Sequence, residues 1–191
     1  MNLSELRDSI RVEGNIEGFE RYANMIDNFI NQELQRFTGK APFPDLRTSA
    51  NFILASEQSS IAVPDDFQLI DCLVYTRDSD ERSWQLAKGK NPQGQLGFQG
   101  YPKFYTRAGA NFNIYPFSGV AALDTIDLYY YSLPELVDDT DELPVPALET
   151  AVIQAALSRI LMLSDTKKAM AARQQAKEAF VDSRAQVNAQ D

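Results

Sequence analysis

Leu148-Glu149-Thr150-Ala151-Val152-Ile153-Gln154-Ala155-Ala156-Leu157-Ser158-Arg159-Ile160-Leu161-Met162-Leu163 is apolar nearly all round when wound as a helix. Such a helix has no stripe to offer to water, so the sequence places it at the centre of a bundle. Pro144 and Pro146 stop the loop before it. After it, Ser164 or Asp165 can cap a further helix predicted from about Thr166 to about Val187. The apolar positions of that last helix, Ala169, Ala172, Ala176, Phe180 and Val187, are mostly small. Small residues permit close approach to another helix, but the stripe they make is thin.

Two helices are also predicted at the other end of the chain. Leu3, Leu6 and Ile10 mark a short one ending near Gly14. Phe19, Tyr22, Ala23, Ile26, Phe29, Ile30, Leu34 and Phe37 recur at three- and four-residue steps and define a second. Glu20, Arg21, Asp27, Asn28, Gln32 and Gln35 cover its other face, and Gly39, Pro42 and Pro44 end it. Between the helix pairs the period changes. Phe52 to Ala55 and Ile61 to Val63 are short β-type runs, Leu69 to Tyr75 is a longer one, and Trp84 to Leu86 follows a charged turn. Residues 88–100 are expected to form a long flexible loop with neither helix nor strand. Phe104 to Thr106 and Phe112 to Tyr115 flank Ala108-Gly109-Ala110 as a hairpin. Ile126, Leu128 and Tyr130 alternate with Asp127, Tyr129 and Tyr131 as in a half-buried strand. The fold class is therefore α+β, a helical bundle formed by the N- and C-terminal helix pairs with an inserted antiparallel β-rich domain. The expected divisions are residues 1–45, 46–135 and 136–191.

Composition limits the chemistry. The chain has 191 residues, 44% hydrophobic and 24% charged, which fits one soluble globular domain or one with an appendage. It contains no histidine, so Ser-His-Asp and Cys-His triads, His-ligated zinc and imidazole bases are excluded within one chain. Cys72 is the only cysteine, which precludes an internal disulfide and fits a reducing compartment. It lies in an apolar run and reads as a buried structural thiol. The N-terminal residues lack the apolar core of a signal peptide, and no segment approaches the length of a membrane span.

The net charge is −9, which argues against a general nucleic-acid surface. Residues 124–149 hold Asp124, Asp127, Glu135, Asp138, Asp139, Asp141, Glu142 and Glu149 without a Lys or Arg. From Arg159 to Arg184 the sign reverses, with Lys167, Lys168, Arg173 and Lys177 between them. Such asymmetry fits either oriented contacts or solvated faces.

No convergent catalytic site is legible. Asp65-Asp66 read as a turn before the strand near Phe67, and Asp138 to Glu142 as a solvated loop. Adjacent strand residues point to opposite faces, so neither carboxylate pair is a ready dyad. Gly94, Gly97 and Gly100 match no phosphate-binding pattern, and no cofactor or metal is implied. Tyr129-Tyr130-Tyr131 read as bridging two sheet faces rather than stacking on bases.

The order of motifs nevertheless resembles a known family. Ile61-Ala62-Val63-Pro64-Asp65-Asp66-Phe67 precedes a strand. Gly100-Tyr101-Pro102-Lys103-Phe104-Tyr105-Thr106 and the Gly109 turn follow, then Phe112-Asn113-Ile114-Tyr115-Pro116 and Ile126-Asp127-Leu128-Tyr129-Tyr130-Tyr131. In this order they resemble the head-to-tail adaptor (connector) proteins of tailed bacteriophages, of the tubular-A-like kind. The chain departs from the family's usual pattern at Leu143 to Leu148, where aromatic residues more often enter the helix.

The resemblance implies a non-enzymatic structural protein of the virion, a dodecameric ring at the head–tail junction, assembled in the host cytoplasm. Its implied partners are further copies of itself, the portal protein and the tail nozzle or tail-tube proteins. Passing DNA would touch it only passively during genome ejection, which suits an acidic protomer that repels phosphate weakly. No membrane contact is implied. Rings require contacts between unlike faces, and the acidic segment and basic last helix could supply complementary ones. The candidate portal or neighbour contacts are Arg173, Lys177, Phe180 and Arg184. Asn91, Leu96 and Phe98 are the candidate tail-contact residues. Asp138, Asp139, Asp141 and Glu142 are the candidate acidic channel or inter-subunit face. The alternatives are another virion part, a head-completion stopper or tail component, and a small carboxylate-dependent hydrolase.

Overall fold

The computed structural model describes residues 1–15, 23–89, 99–162 and 165–189. The chain divides into two compact units, residues 1–46 with 133–191, and residues 47–132. It is a mixed α+β fold, as the order of elements predicts.

In the first unit, helix α1 spans Leu3–Gly14 and α2 spans Ala23–Thr38. Helix α3 spans Glu149–Leu161 and α4 spans Thr166–Asn188. A capping box starts α1: the Asn2 side chain accepts from Glu5 N, and the Glu5 carboxylate accepts from Asn2 N, each at 2.9 Å. Leu3, Leu6 and Ile10 are buried at the expected spacing. In α2, Ile26, Ile30, Leu34 and Phe37 form the buried stripe. The expectations for Phe19 to Tyr22 lie outside the described residues. Nine of the thirteen residues of α3 are buried, and it packs against α1, α2 and α4. That is the outcome its all-round apolar sequence demands. Asp165 caps α4 by accepting from the amides of Lys167 and Lys168 at 3.1 Å. Ser164, the other candidate cap, lies outside the described residues. The small residues Ala169, Ala172, Ala176 and Ser183 are the fully buried part of α4.

In the second unit, β1 spans Arg47–Ile53, β2 Ser60–Ala62, β3 Phe67–Thr76 and β4 Ser83–Gln85. Then come β5 at Ala87–Lys88, β6 at Phe104–Ala108, β7 at Asn111–Tyr115 and β8 at Thr125–Ser132. One sheet has the order β1-β8-β3-β4 and the other β2-β7-β6-β5. All pairs are antiparallel except β5 with β6. A single core draws Leu73, Tyr75, Ile126, Leu128 and Tyr130 from the first sheet and Ile61, Tyr105, Phe112 and Ile114 from the second. Gly109 sits at φ +60° in the β6–β7 turn, a conformation glycine adopts without a Cβ clash. A Cβ on Gly119 would lie 2.5 Å from the backbone of Gly100, so only glycine permits that approach.

Three sequence expectations need correction. Strand β1 begins at Arg47, well before Phe52, because Arg47 to Ile53 pair in continuous register with β8. The pairing is made by backbone, so the polar residues Arg47, Thr48, Ser49 and Asn51 join it while staying largely in solvent. Lys88, expected to begin the loop, belongs instead to β5, because Ala87 and Lys88 find a parallel partner in β6. Cys72 is half-buried, not buried. Leu73 and Tyr75 take the core side of β3, so Cys72 falls beside Tyr129 on the opposite face. Partial burial pushes its thiol pKa up, away from a reactive thiolate.

The buried carboxylate of Asp124 joins the turns at one end of this unit. It accepts from the Tyr75 hydroxyl, from Asp78 N at 3.0 Å and from Ala121 N at 2.8 Å. The Tyr75 hydroxyl is held protonated, its pKa raised by burial and by this hydrogen bond. Asp124→Ala strands all three donors and is expected to cost on the order of 3 kcal/mol, against about 1 kcal/mol for Tyr75→Phe. Chemical denaturation of the two variants beside wild type checks the ranking.

Candidate functional site

The candidate contact residues of α4 lie along one side of the helix. At about 100° per residue, Arg173, Lys177, Phe180 and Arg184 fall within roughly 60° of one another. Phe180 is half-buried and stacks on Phe37 of α2, ring centroids 4.9 Å apart. Lys40 Nζ stands 5.5 Å from each ring centroid. Arg173, Lys177 and Arg184 are exposed and have no charged partner among the described residues.

Two cavities border α4 on either side of that aromatic stack, one against α2 and α3 and one against the segment that follows α2. One, of about 250 Å³, is lined by Glu33, Arg36, Ser158, Arg159, Met162 and Arg173 among others. The second, of about 150 Å³, is lined by Ala41, Pro42, Phe43, Arg184 and Val187. In the first, Glu33 is only 2% exposed. Its Oε1 is 2.5 Å from Arg159 Nε and its Oε2 2.5 Å from Arg36 Nη2. The Arg36 contact neutralises charge but lies off the donor's axis, so Oε2 accepts no hydrogen bond. Arg159 also donates to Gln32 Oε1 at 2.5 Å, and its guanidinium lies 5.4 Å from the Phe29 ring centroid. Glu33 thus offsets the charge of one of three arginines.

The acidic residues occupy a different surface. Asn31 of α2 clasps Leu136 from both sides: Asn31 Nδ2 donates to Leu136 O and Leu136 N to Asn31 Oδ1, each at 2.8 Å. Leu3 N donates to Asp141 O at 3.0 Å and Ser4 N to Asp139 O at 3.2 Å. Asp139 pairs with Arg7 at 2.5 Å, and Arg7 also binds Asp27. The Asp141 carboxylate accepts from Val137 N and Asp138 N at 2.7 and 2.9 Å. Asp138 and Glu142 are exposed, with side chains unpartnered among the described residues. The loop expected to be solvated is therefore tied down by two of its own four acids.

Asp65 and Asp66 form the expected turn, with Phe67 N donating to Pro64 O at 3.1 Å. Asp66 also accepts from the Tyr130 hydroxyl at 2.8 Å. Burial and that bond push the hydroxyl pKa up to about 12. Tyr130 faces the core while Tyr129 and Tyr131 take the other face of β8, as expected of a bridging run. Asn91, Leu96 and Phe98 lie outside the described residues. Among the described residues no group of three or more acidic or cysteine side chains could hold a metal ion, and no helix is long and apolar enough to cross a membrane.

Comparison with protein families gives a match to the SU10 adaptor protein model over residues 1–191. The chain belongs to the SU10 adaptor protein family. This agrees with the resemblance to phage head-to-tail adaptors carried by residues 61–131 and makes the chain a structural virion component of the adaptor type. A search of curated proteins gives no match. Family membership favours a structural rather than an enzymatic role, and implies contact with other virion proteins.

The Asp141 turn gives this family member a defined acid response. Hydrogen bonds from two backbone amides hold the Asp141 carboxyl below its ordinary value. A depressed folded-state pKa adds stability above the unfolded value near 4, and that stability is lost as pH falls through the folded value. Asp141→Asn should therefore flatten the dependence of the unfolding midpoint on pH between about 5 and 2. A midpoint series over that range tests it, and an unchanged slope would remove Asp141 from the account.

Proposed function

We propose that this chain is a head-to-tail adaptor that docks beneath the portal as a ring, joins capsid to tail and forms part of the channel through which DNA is ejected. The observation that carries this reading is the family match across the whole chain. Charge supports it: a protomer of net −9 gives passing DNA little to bind. The basic row of α4, exposed and without charged partners among the described residues, supports it too, because in a chain of net −9 it offers an acidic partner a complementary surface.

In this reading Arg173, Lys177 and Arg184 meet the portal or a neighbouring copy, with Phe180 fixing their spacing through its stack on Phe37. Asp138 and Glu142 present the acidic inter-subunit or channel face, while Asp139 and Asp141 hold it in shape. Asn91, Leu96 and Phe98 contact the tail. Assembly takes place in the host cytoplasm, and the ring is of the dodecameric kind.

The test is particle mass, measured on the protein alone and after mixing with portal rings of the same virus. A portal complex carrying about one adaptor per portal subunit is the expected result. A free monomer beside unchanged portal rings overturns the reading. Reversing Arg173, Lys177 and Arg184 together should weaken the complex and change its salt dependence. Normal assembly by that triple variant would detach the basic row from the interface.

A further inference from the structure

We propose that the basic groove between α2 and α4 is a socket for the acidic segment 135–142 of a second copy of this chain. The inference rests on the ring reading above and names the contact that would join its neighbours.

The groove carries a charge excess that the subunit does not satisfy. Arg36, Lys40, Arg159, Arg173 and Arg184 line it or stand over its aromatic stack. Among the described residues Glu33 is the one carboxylate lining either cavity, and its two oxygens face Arg36 and Arg159. Glu178 and Asp182 are roughly 140° and 180° around α4 from Arg173 and cannot turn toward it. Met162 and Met170, 59% and 66% exposed, flank the larger cavity. Arginine and methionine beside a cavity is a composition enriched at the cores of protein interfaces. In a chain of net −9 this is an isolated positive site, and the partner it fits is acidic with some apolar surface.

Segment 135–142 has that chemistry. It contains Glu135, Asp138, Asp139, Asp141 and Glu142 with exposed Val137 and no cation. Glu135, Asp138 and Glu142 are exposed without partners among the described residues. The segment cannot fill the socket of its own subunit, because Asn31 and Gln35 hold it on the other side of α2. The directions of Asn31 and Gln35 differ from those of Glu33 and Arg36 by about 100° to 160° around that helix. Socket and segment are thus unlike faces on opposite sides of one rigid element, the arrangement that lets each copy receive one neighbour and engage another.

The test uses three full-length variants beside wild type, each mixed with portal rings and followed by particle mass across protein concentration. Lys40, Arg173 and Arg184 changed together to Glu, all at exposed positions, should fold as wild type by circular dichroism and require about tenfold more protein to assemble. Glu135, Asp138 and Glu142 changed together to Lys should show the same defect. A chain carrying both sets of reversals should recover, because the socket is then net negative and meets a segment that is net positive. Wild-type assembly by the socket variant overturns the socket while leaving the adaptor reading intact. A defect that the combined variant does not repair overturns the acidic segment as occupant. Wild-type protein that remains monomeric both alone and with portal rings overturns both readings together.

Discussion

Burial of α3 is the constraint on which the helical unit depends. A helix with apolar residues on every side adds its full hydrophobic stabilisation only if covered all round. Helices α1, α2 and α4 supply that cover. Three helices around one leave seams between the outer three, and the seam between α2 and α4 is spanned chiefly by the stack of Phe37 on Phe180. The small buried residues of α4 let it lie close on α3, while its larger and charged side chains are left at the seam. The groove therefore follows from how α3 is covered.

Glu33 shows what that seam requires. Placing a carboxylate at 2% exposure is costly unless cations stand against it, and Arg36 and Arg159 do so from α2 and α3. The pair of arginines brings more charge than Glu33 cancels, and Arg173 adds to the excess from α4. Removing either neighbour would leave a buried charge poorly compensated, so the arginines are kept in place by the fold and are available at its surface at once. A site held this way loses little side-chain freedom on binding, which favours affinity without added contact area.

Much of this was readable in the residues, and what was missed has physical reasons. Period gave α1, α2, α4, the β6–β7 hairpin and the alternation of β8, because each buries one face against a core, and all-round apolarity gave α3, which is covered on every side. The start of β1 was not readable, since Arg47 to Asn51 are strand by pairing to β8 and not by hydrophobicity. Nor was the burial state of Cys72, which depends on which face of β3 turns to the core. Glu33 was overlooked although it carried a signal: it falls on the stripe of Ile26, Ile30 and Phe37, at the spacing that calls for an apolar residue. A charge on such a stripe predicts a buried partner. Arg159, the one basic residue of α3, is that partner. The tying down of Asp139 and Asp141 needed the fold, because Arg7 and the α1 amides are over a hundred residues away in sequence.

Two charged faces on opposite sides of one helix restrict how copies can associate. A twofold contact made through either face alone would place like on like, basic groove against basic groove or acid against acid, and both repel. The favourable contact joins unlike faces, so every copy added presents the same free socket and the same free segment as the last. Such a series ends only when the rotation between neighbours closes, and a rigid path from segment to socket through α2 makes that rotation the same at every step. In the proposed ring, anchoring of residues 135–142 by Asn31, Arg7 and the α1 amides would act beyond the subunit: a mobile acidic loop would allow many angles, whereas a fixed one sets the angle on which closure depends.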